Sequence, residues 1–210
     1  MYSKDLIRNV LINLILFLCW LNINAQTGES LYREADSLYG SEFYKEAILV
    51  YNEIIKNNPD DAVVFNRRGN CYNRMEMYDS SLIDYFKAIE LDSLYSSPYS
   101  NIGRIYLDDE KYKNAETYLV KAHNLSPDSG YIYGILGYYY LMTENVDSSL
   151  YYYETGLTID SNIYYADYYL TILYMQKGNT EKGLFHINKS IEKYPEEIIQ
   201  HFYILQYDQE

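Results

Sequence analysis

Residues 62–93 read AVVFNRRGNCYNRMEMYDSSLIDYFKAIELDS, and the order of large and small residues in this stretch returns further along the chain. Gly69 is followed by Gly103 and then, at the same interval, by Gly137. The loop positions keep this interval as well, and they are Pro59, Ser93, Pro127, Ser161 and Pro195. A fixed interval of about 34 residues, which we call the repeat period, predicts stacked two-helix hairpins, because one hairpin cannot bury its apolar face alone.

The glycines and the aromatic residues occupy complementary places in each repeat. Gly69 and Gly103 lie on first helices, where we expect them to let the second helix of the same hairpin approach closely. Tyr72 and Tyr106 follow shortly after these glycines and are expected to fill the space that the small residues leave. Aromatic rings supply a large buried area per side chain. The alternation therefore predicts a packing code that a bulky residue at a glycine position would break.

The order aromatic–x3–Gly–x2–Tyr, then small, aromatic, small and a loop proline, resembles the tetratricopeptide repeat (TPR). Weaker copies flank the clear ones, so the resemblance covers about residues 28–195. It implies an all-α, right-handed α-solenoid of five TPR helix-turn-helix repeats plus a C-terminal capping helix. The repeats are predicted at about 28–61, 62–95, 96–129, 130–163 and 164–195, with the cap at 196–206. First helices are expected near 28–41, 62–75, 96–109, 130–143 and 164–177, and second helices near 44–57, 78–91, 112–125, 146–159 and 180–193.

The segment 1–25 is expected to lie outside this TPR domain, which spans residues 26–210. Two basic residues precede an apolar run from Val10 to Leu21, and Ala25 closes the segment. This arrangement predicts a secretory signal peptide cleaved after Ala25. The apolar run is short for a membrane span, but the sequence leaves an uncleaved anchor open. Export without a eukaryotic-looking domain set indicates the bacterial periplasm or cell surface, with no membrane span after cleavage.

The charge of the chain limits the classes of partner. The formal net charge is −13, from 30 acidic and 17 basic residues, which argues against nucleic acid and anionic membranes as ligands. The same charge fits either simple solubility or the steering of a basic partner, and both readings stay open. Cys71 is the one cysteine left after cleavage, and its place within a first helix predicts a buried, inert thiol. Nothing in the composition sets the oligomeric state.

Motifs for catalysis are absent from the sequence. There is no glycine-rich phosphate loop, no HExxH and no paired-cysteine metal motif. His123, His186 and His201 stand apart in the repeat register and are expected to be surface or half-buried residues. We therefore predict no enzyme, no catalytic residue, no cofactor and no metal site. An enzyme with a non-obvious carboxylate site, or an accessory module of an enzyme on another chain, remains the alternative from a different class.

In TPR arrays the first helices line a concave groove that commonly holds an extended peptide or a helix of a partner. By that resemblance the candidate groove residues are Asn66, Asn70, Asn73, Arg74, Arg104, Tyr131, Tyr138, Tyr165 and Tyr168. The asparagines recur at helical spacing, and each offers a donor and an acceptor to a peptide backbone. Tyrosine brings a large contact area with few rotatable bonds. The competing interpretations are a solvated polar face and the general abundance of tyrosine, of which the chain has 29.

Some TPR proteins clamp a C-terminal carboxylate with lysines and an arginine. The matching places here are Tyr32, Asp36 and Tyr131, so that clamp is not expected. The resemblance thus implies an exported scaffold or adaptor that binds a protein or peptide partner in its groove. The rival within binding proteins is a sensory or assembly subunit of a bacterial envelope complex that uses its outer faces.

Overall fold

The computed structural model of the chain describes residues 28–163 and 165–195, which form helices and turns and contain no strand. The predicted signal peptide and the predicted cap, residues 196–206, lie outside the described residues. The chain divides into two compact units, unit 1 up to Pro98 and unit 2 from Tyr99 onward. The sequence predicts one continuous domain and contains no composition change at this division.

The described residues form ten helices, which alternate as the first and second helices of successive hairpins. They are α1 (28–40), α2 (Tyr44–Asn57), α3 (Ala62–Arg74), α4 (Tyr78–Leu91), α5 (Ser96–Asp108), α6 (Tyr112–Leu125), α7 (Gly130–Met142), α8 (Val146–Ile159), α9 (Ala166–Gln176) and α10 (Thr180–Lys193). Each second helix has the bounds that the sequence predicts, so the all-α repeat architecture is confirmed. None of these helices combines the length and the hydropathy that crossing a bilayer requires.

A left-handed residue follows each first helix and fixes the turn of the hairpin. These residues stand one repeat period apart, and they are Glu42, Glu76, Glu110, Glu144 and Gly178, with φ between 56° and 73°. In the second hairpin the Met77 N–H donates to the Tyr72 carbonyl at 2.9 Å, and the Glu76 N–H donates to the Asn73 carbonyl at 3.0 Å. This pair of bonds is the Schellman motif. Because the motif ends the helix, the first helices stop one residue before the predicted bounds.

The predicted close approach at the glycines is confirmed. A Cβ added at Gly69 would lie 2.7 Å from Tyr85 Cε1, and one added at Gly103 would lie 2.6 Å from Leu119 Cδ2. Tyr85 and Leu119 have no exposed surface. The Ser81 hydroxyl donates to the Gly69 carbonyl at 2.8 Å and ties the two helices together at the same point. Only a residue without a side chain fits between these helices.

Stacked rings form a layer inside unit 2. Tyr140 lies 5.1 Å from Tyr152 with an interplanar angle of 11°, and Tyr133 lies 5.7 Å from the same ring. The hairpin before it repeats this arrangement with Tyr99, Tyr106 and Tyr118. These contacts give Tyr133 and Tyr140 of α7 and Tyr152 of α8 packing roles within unit 2.

Helix α9 begins later than the sequence predicts. Its N-cap residue, Tyr165, has φ 58°, in the left-handed region, where a residue cannot continue a right-handed helix. The helix therefore starts at Ala166 rather than at residue 164. A bulky residue in this conformation is uncommon and marks a local departure from the repeat.

Cys71 lies in the core of unit 1. It is fully buried and forms no disulfide, beside Ala47, Tyr51 and Val64 in one apolar cluster. Burial raises the pKa of its thiol to about 12, so the thiolate is scarce at neutral pH. The prediction of a buried, unreactive thiol agrees with this environment.

Candidate protein-binding surface

Two of the three predicted asparagines of unit 1 form side-chain hydrogen bonds within the unit. Asn66 is only 4% exposed, and its Nδ2 donates to the Tyr95 hydroxyl at 3.1 Å. Asn70 is half-buried and accepts a hydrogen bond from the Tyr85 hydroxyl at 2.8 Å. Asn73 is half-buried as well. The burial of Asn66 counts against its use as a peptide contact and gives the asparagine spacing a structural explanation.

Charged groups on the first helices of unit 1 bond to one another across neighbouring hairpins. Arg74 is exposed, and its Nε donates to the Tyr39 hydroxyl at 3.5 Å. Arg67 donates to Asp36 Oδ1 at 2.6 Å, and the Tyr51 hydroxyl donates to the same oxygen at 3.0 Å. Asp36 is exposed, and its carboxylate is held by partners on two neighbouring hairpins. This part of unit 1 connects hairpins and does not resemble a carboxylate clamp.

In unit 2, Arg104 and Tyr138 lie close to Asp108. The Arg104 guanidinium is 3.8 Å from the Asp108 carboxylate. Loss of hydration raises the pKa of Asp108, although Arg104 opposes the shift. Burial and the nearby Asp108 charge raise the pKa of Tyr138. The Tyr138 hydroxyl is therefore protonated at neutral pH and able to donate a hydrogen bond.

Three of the predicted tyrosines come together in unit 2 through a fourth that the sequence does not single out. The Tyr138 ring lies 5.5 Å from the Tyr169 ring, which lies 5.4 Å from Tyr168. Tyr168 in turn lies 6.1 Å from Tyr165. Tyr169 also stacks on the buried Tyr153 at 5.6 Å, so this chain of rings is anchored to the core.

Exposed apolar side chains extend this group of rings. Ile172 is 42% exposed and Met175 is 41% exposed, and both share the face of α9 that carries Tyr168, because residues four and seven apart lie on one side of a helix. Met142, 40% exposed, lies one helical turn after Tyr138 on α7. We call this surface the tyrosine face, and its residues are Tyr138, Met142, Tyr165, Tyr168, Tyr169, Ile172 and Met175.

Tyr131 is the remaining predicted tyrosine and precedes Tyr138 by two helical turns. It is 52% exposed, and its hydroxyl lies 3.5 Å from Asn101 Oδ1. Residues seven apart on a helix share one side, so Tyr131 extends the tyrosine face along α7. The ring contacts that link Tyr138 to Tyr168 and Tyr165 run through Tyr169, which the sequence prediction of a tyrosine wall leaves out.

The tyrosine face carries no charge of its own at neutral pH. Burial raises the pKa of Tyr169 to about 12 and raises the pKa of Tyr168. Their hydroxyls therefore stay protonated and present neutral donors beside apolar ring area. Such a surface suits contact with another protein better than it suits acid–base chemistry.

A buried ionic cluster lies in the last described hairpin. His186 Nδ1 is 2.9 Å from Asp167 Oδ1, and Lys193 Nζ is 2.7 Å from Asp167 Oδ2. Burial alone would raise the pKa of Asp167, but the bonds from His186 and Lys193 outweigh it and hold that pKa below its ordinary value. Both carboxylate oxygens are used within the fold, so the cluster joins α9 to α10. The prediction of a surface or half-buried position is wrong for His186, which is 9% exposed.

No arrangement for metal chemistry is found among the residues that the structure describes. Groups of three or more His, Cys, Asp or Glu side chains able to hold a metal ion do not occur within 28–163 and 165–195. His123 packs edge-on against Tyr133 at 5.1 Å and is half-buried, as the sequence predicts. His201 lies outside the described residues.

The sequence of the chain is similar to that of known repeat proteins. The tetratricopeptide repeat model matches residues 96–129. The Hsp70-Hsp90 organizing protein of Triticum aestivum is 35% identical over 86 residues, which are 40% of this chain and 15% of that protein. The chain therefore matches only a small part of this curated relative.

Solved structures agree with the repeat fold. A TPR protein of Thermus thermophilus, TTC0263, superposes with a TM-score of 0.69 at 16% identity, over 85% of this chain and 97% of that chain. YrrB, described as a TPR protein with an unusual peptide-binding site, gives a TM-score of 0.57 at 22% identity, over 84% of this chain and 89% of that chain. At this identity the likeness shows the fold alone. The chain contains a tetratricopeptide repeat and has the fold of TPR proteins.

Proposed function

We propose that this protein is a non-catalytic scaffold and that the tyrosine face of unit 2 binds a protein or peptide partner. The observation that supports this most strongly is the exposure of Ile172 and Met175 beside the linked rings of Tyr165 and Tyr168. Apolar surface gathered in one place on a folded unit is characteristic of binding sites. Tyrosine supplies rigid contact area, and methionine adapts to the shape of a partner.

The chemistry of the face favours a segment with apolar side chains and accompanying lysine or arginine. Neutral tyrosine rings attract cations through their faces. The acidic chain, with its formal net charge of −13, raises the encounter rate of a basic partner. The protein nature of the partner fits the TPR fold, and the basic character rests on charge alone.

Export is part of the proposal and rests on residues 1–25. An amino-terminal sequence of the protein purified from cells, together with its distribution between cell fractions, tests it. A mature chain that begins at Gln26 in the periplasm or at the cell surface supports export. A chain that keeps residues 1–25 and stays in the cytoplasm overturns it, whereas one that keeps them in the membrane fraction assigns them to an anchor.

Peptide selection with the purified chain tests the binding surface. We expect displayed peptides rich in apolar and basic residues to be enriched, and Ile172→Asp or Tyr168→Ala to weaken their binding by about tenfold or more, since central aromatic contacts dominate such interfaces. Leu49→Asp is the matched control, because Leu49 is a 68% exposed apolar residue on α2 in unit 1. Equal binding by all three variants would remove the tyrosine face from the proposal.

A second binding role is favoured by exposed apolar residues on the second helices. Leu49 and Ile83 in unit 1 are 68% and 69% exposed and stand one repeat period apart. Tyr151 and Phe185 in unit 2 are 57% and 54% exposed at the same interval. These outer positions suit an assembly subunit of an envelope complex. The same selection discriminates the two roles, because partners of the outer positions lose binding on Leu49→Asp or Phe185→Asp and keep it on Tyr168→Ala.

A further inference from the structure

The Tyr153 hydroxyl is buried beside the tyrosine face and has no hydrogen-bond partner among the residues that the structure describes. The Tyr153 ring is only 1% exposed and stacks on Tyr169. Burial, followed by the neighbouring Tyr169 and Tyr138, raises the pKa of Tyr153, so its hydroxyl keeps the proton. A buried hydroxyl without a partner is uncommon and costs stability. The hydroxyl is therefore a donor that lacks an acceptor.

The first two hairpins supply an acceptor to the same hydroxyl. Tyr51 and Tyr85 stand at the repeat position of Tyr153. The Tyr51 hydroxyl donates to Asp36 Oδ1 at 3.0 Å, and the Tyr85 hydroxyl donates to Asn70 Oδ1 at 2.8 Å. Asp36 and Asn70 share one position of the first helix, which we call the acceptor position. A short side chain with an oxygen at this position satisfies the tyrosine from within the hairpin.

The fourth hairpin differs from the other described hairpins at these two positions. The third and fifth hairpins have neither the hydroxyl nor the acceptor, and their residue pairs are Leu119 with Arg104 and Ile187 with Ile172. The fourth keeps the hydroxyl of Tyr153, but its acceptor position holds Tyr138. Tyr138 does not bond to Tyr153. Among the five described hairpins, the fourth alone has the donor without the acceptor.

The charges around the acceptor position favour a neutral oxygen there. In the first hairpin the acceptor is the carboxylate of Asp36, and Arg67 from the next first helix donates to it at 2.6 Å. The residue that corresponds to Arg67 beside the fourth hairpin is Tyr169, which is uncharged at neutral pH. Burial and then the Asp108 charge raise the pKa of Tyr138, so a carboxylate placed there would meet a like charge. A carbonyl or carboxamide oxygen suits the position better.

We propose that the Tyr153 hydroxyl donates a hydrogen bond to a neutral carbonyl oxygen of the bound partner, from its main chain or from an asparagine or glutamine side chain. The oxygen enters at the acceptor position once the Tyr138 side chain turns toward solvent. Tyr138 is half-buried, with its ring 5.5 Å from the Tyr169 ring, and such side-chain rotations are common when partners bind. The proposed bond rests on the proposed function, because it forms only with a partner on the tyrosine face.

Thermal unfolding tests the acceptor position without any partner. Tyr153→Phe removes only the unpaired hydroxyl, so we expect Tm to stay unchanged or to rise slightly. Tyr85→Phe is the matched control, since it removes a hydroxyl bonded to Asn70 and should lower Tm by about 2–4 °C. In the background Tyr138→Asn, which places an amide oxygen at the acceptor position, Tyr153→Phe should lower Tm by a similar amount. A fall of Tm in Tyr153→Phe alone, or none in the Tyr138→Asn background, would overturn the proposal.

Binding of the peptides selected on the tyrosine face tests the hydrogen bond itself. We expect Tyr153→Phe to weaken their binding by about three- to tenfold, while Tyr85→Phe leaves it unchanged. Carbonyl groups of the peptide are then replaced one at a time, by a thioamide in the main chain or by leucine for asparagine or glutamine. One replacement should weaken binding to the unaltered chain and not to Tyr153→Phe, because the two changes remove the same bond.

Two results distinguish failure of the proposed bond from failure of the proposed function. Peptides that lose binding in Tyr168→Ala but bind Tyr153→Phe at full strength would overturn the bond and leave the proposed function standing. Peptides that bind Tyr168→Ala and Ile172→Asp as well as the unaltered chain would contradict the proposed function, and the bond would fall with it. A peptide carboxylate that proves to be the group coupled to Tyr153 would refute the neutral oxygen.

Discussion

The approach of two helices at Gly103 provides the sharpest test of the repeat packing. A Cβ at this position would lie 2.6 Å from Leu119 Cδ2 and 2.7 Å from Leu119 Cγ. Leu119 has no exposed surface, so its side chain moves only by displacing buried neighbours. Added bulk in a packed core costs about 1–3 kcal/mol. In Gly103→Leu even the first added carbon does not fit, so we expect the free energy of unfolding to fall by about 3 kcal/mol or more.

Gly103→Ala separates the packing cost from helix propensity. Alanine gains about 1 kcal/mol over glycine within a helix, which offsets part of the crowding and leaves a net loss of about 0–2 kcal/mol. Gly40→Ala is the control, because no atom lies within 4 Å of a Cβ there. That variant should melt at or slightly above the temperature of the unaltered protein. From the most to the least stable, the expected order is therefore Gly40→Ala, the unaltered protein, Gly103→Ala and Gly103→Leu.

Thermal unfolding measured by far-ultraviolet circular dichroism gives the readout. For a chain of this length about 1 kcal/mol corresponds to a shift of about 2–4 °C, so Gly103→Leu should lower Tm by about 6–12 °C. Adding Leu119→Ala to Gly103→Leu should cost less than the sum of the two single changes, because the cavity accepts the new side chain. A variant Gly103→Leu that melts with the unaltered protein, or strict additivity in the double variant, would refute the assigned contact.

Three further predictions concern single side chains. Asn66→Ala should cost about 1–3 kcal/mol, because the Tyr95 hydroxyl loses its buried partner, and an unchanged Tm would restore Asn66 as a surface residue. The folded pKa of Asp167 is lowered, so its contribution to stability is complete above the unfolded value of about 3.9 and is lost as pH falls through the folded value. Thermal melts between pH 6 and pH 2.5 should therefore show a smaller fall of Tm on acidification in Asp167→Asn than in the unaltered protein. Cys71 should resist thiol reagents at pH 8 until the protein is denatured, and fast labelling of the native state would contradict its burial.

The hairpin architecture was predictable because small and large residues recur along the sequence at a fixed interval. Gly69 and Gly103 identify the close approaches, and the structure places Tyr85 and Leu119 against them. The left-handed turns were not predictable in this way. Four of the five turn positions hold glutamate, such as Glu76 and Glu110, rather than the glycine that signals such a turn. Their conformation follows from the packing of the two helices, which local sequence does not reveal.

The candidate surface was predictable in part. Exposure of Tyr131 follows from its register on a first helix, and the structure agrees. Asn66 is also assigned to the groove side of a first helix, yet the structure buries it against Tyr95, which lies 29 residues further along the chain. The pairing of Asp167 with His186 is similarly invisible, since the two residues lie on different helices. The position of a residue in the repeat predicts which side of the helix it lies on. Whether its side chain is buried or bonded depends on a specific neighbour from another part of the chain.

The ring layer of unit 2 also gives the protein an optical signature. Rings held at fixed angles in an asymmetric setting, such as Tyr140 on Tyr152 at 11°, couple to one another and produce near-ultraviolet circular dichroism that a freely rotating phenol lacks. The sole tryptophan of the sequence is Trp20, outside the repeats. Loosening of the Tyr-packed hairpins is therefore visible by spectroscopy without any label, even before their helices melt.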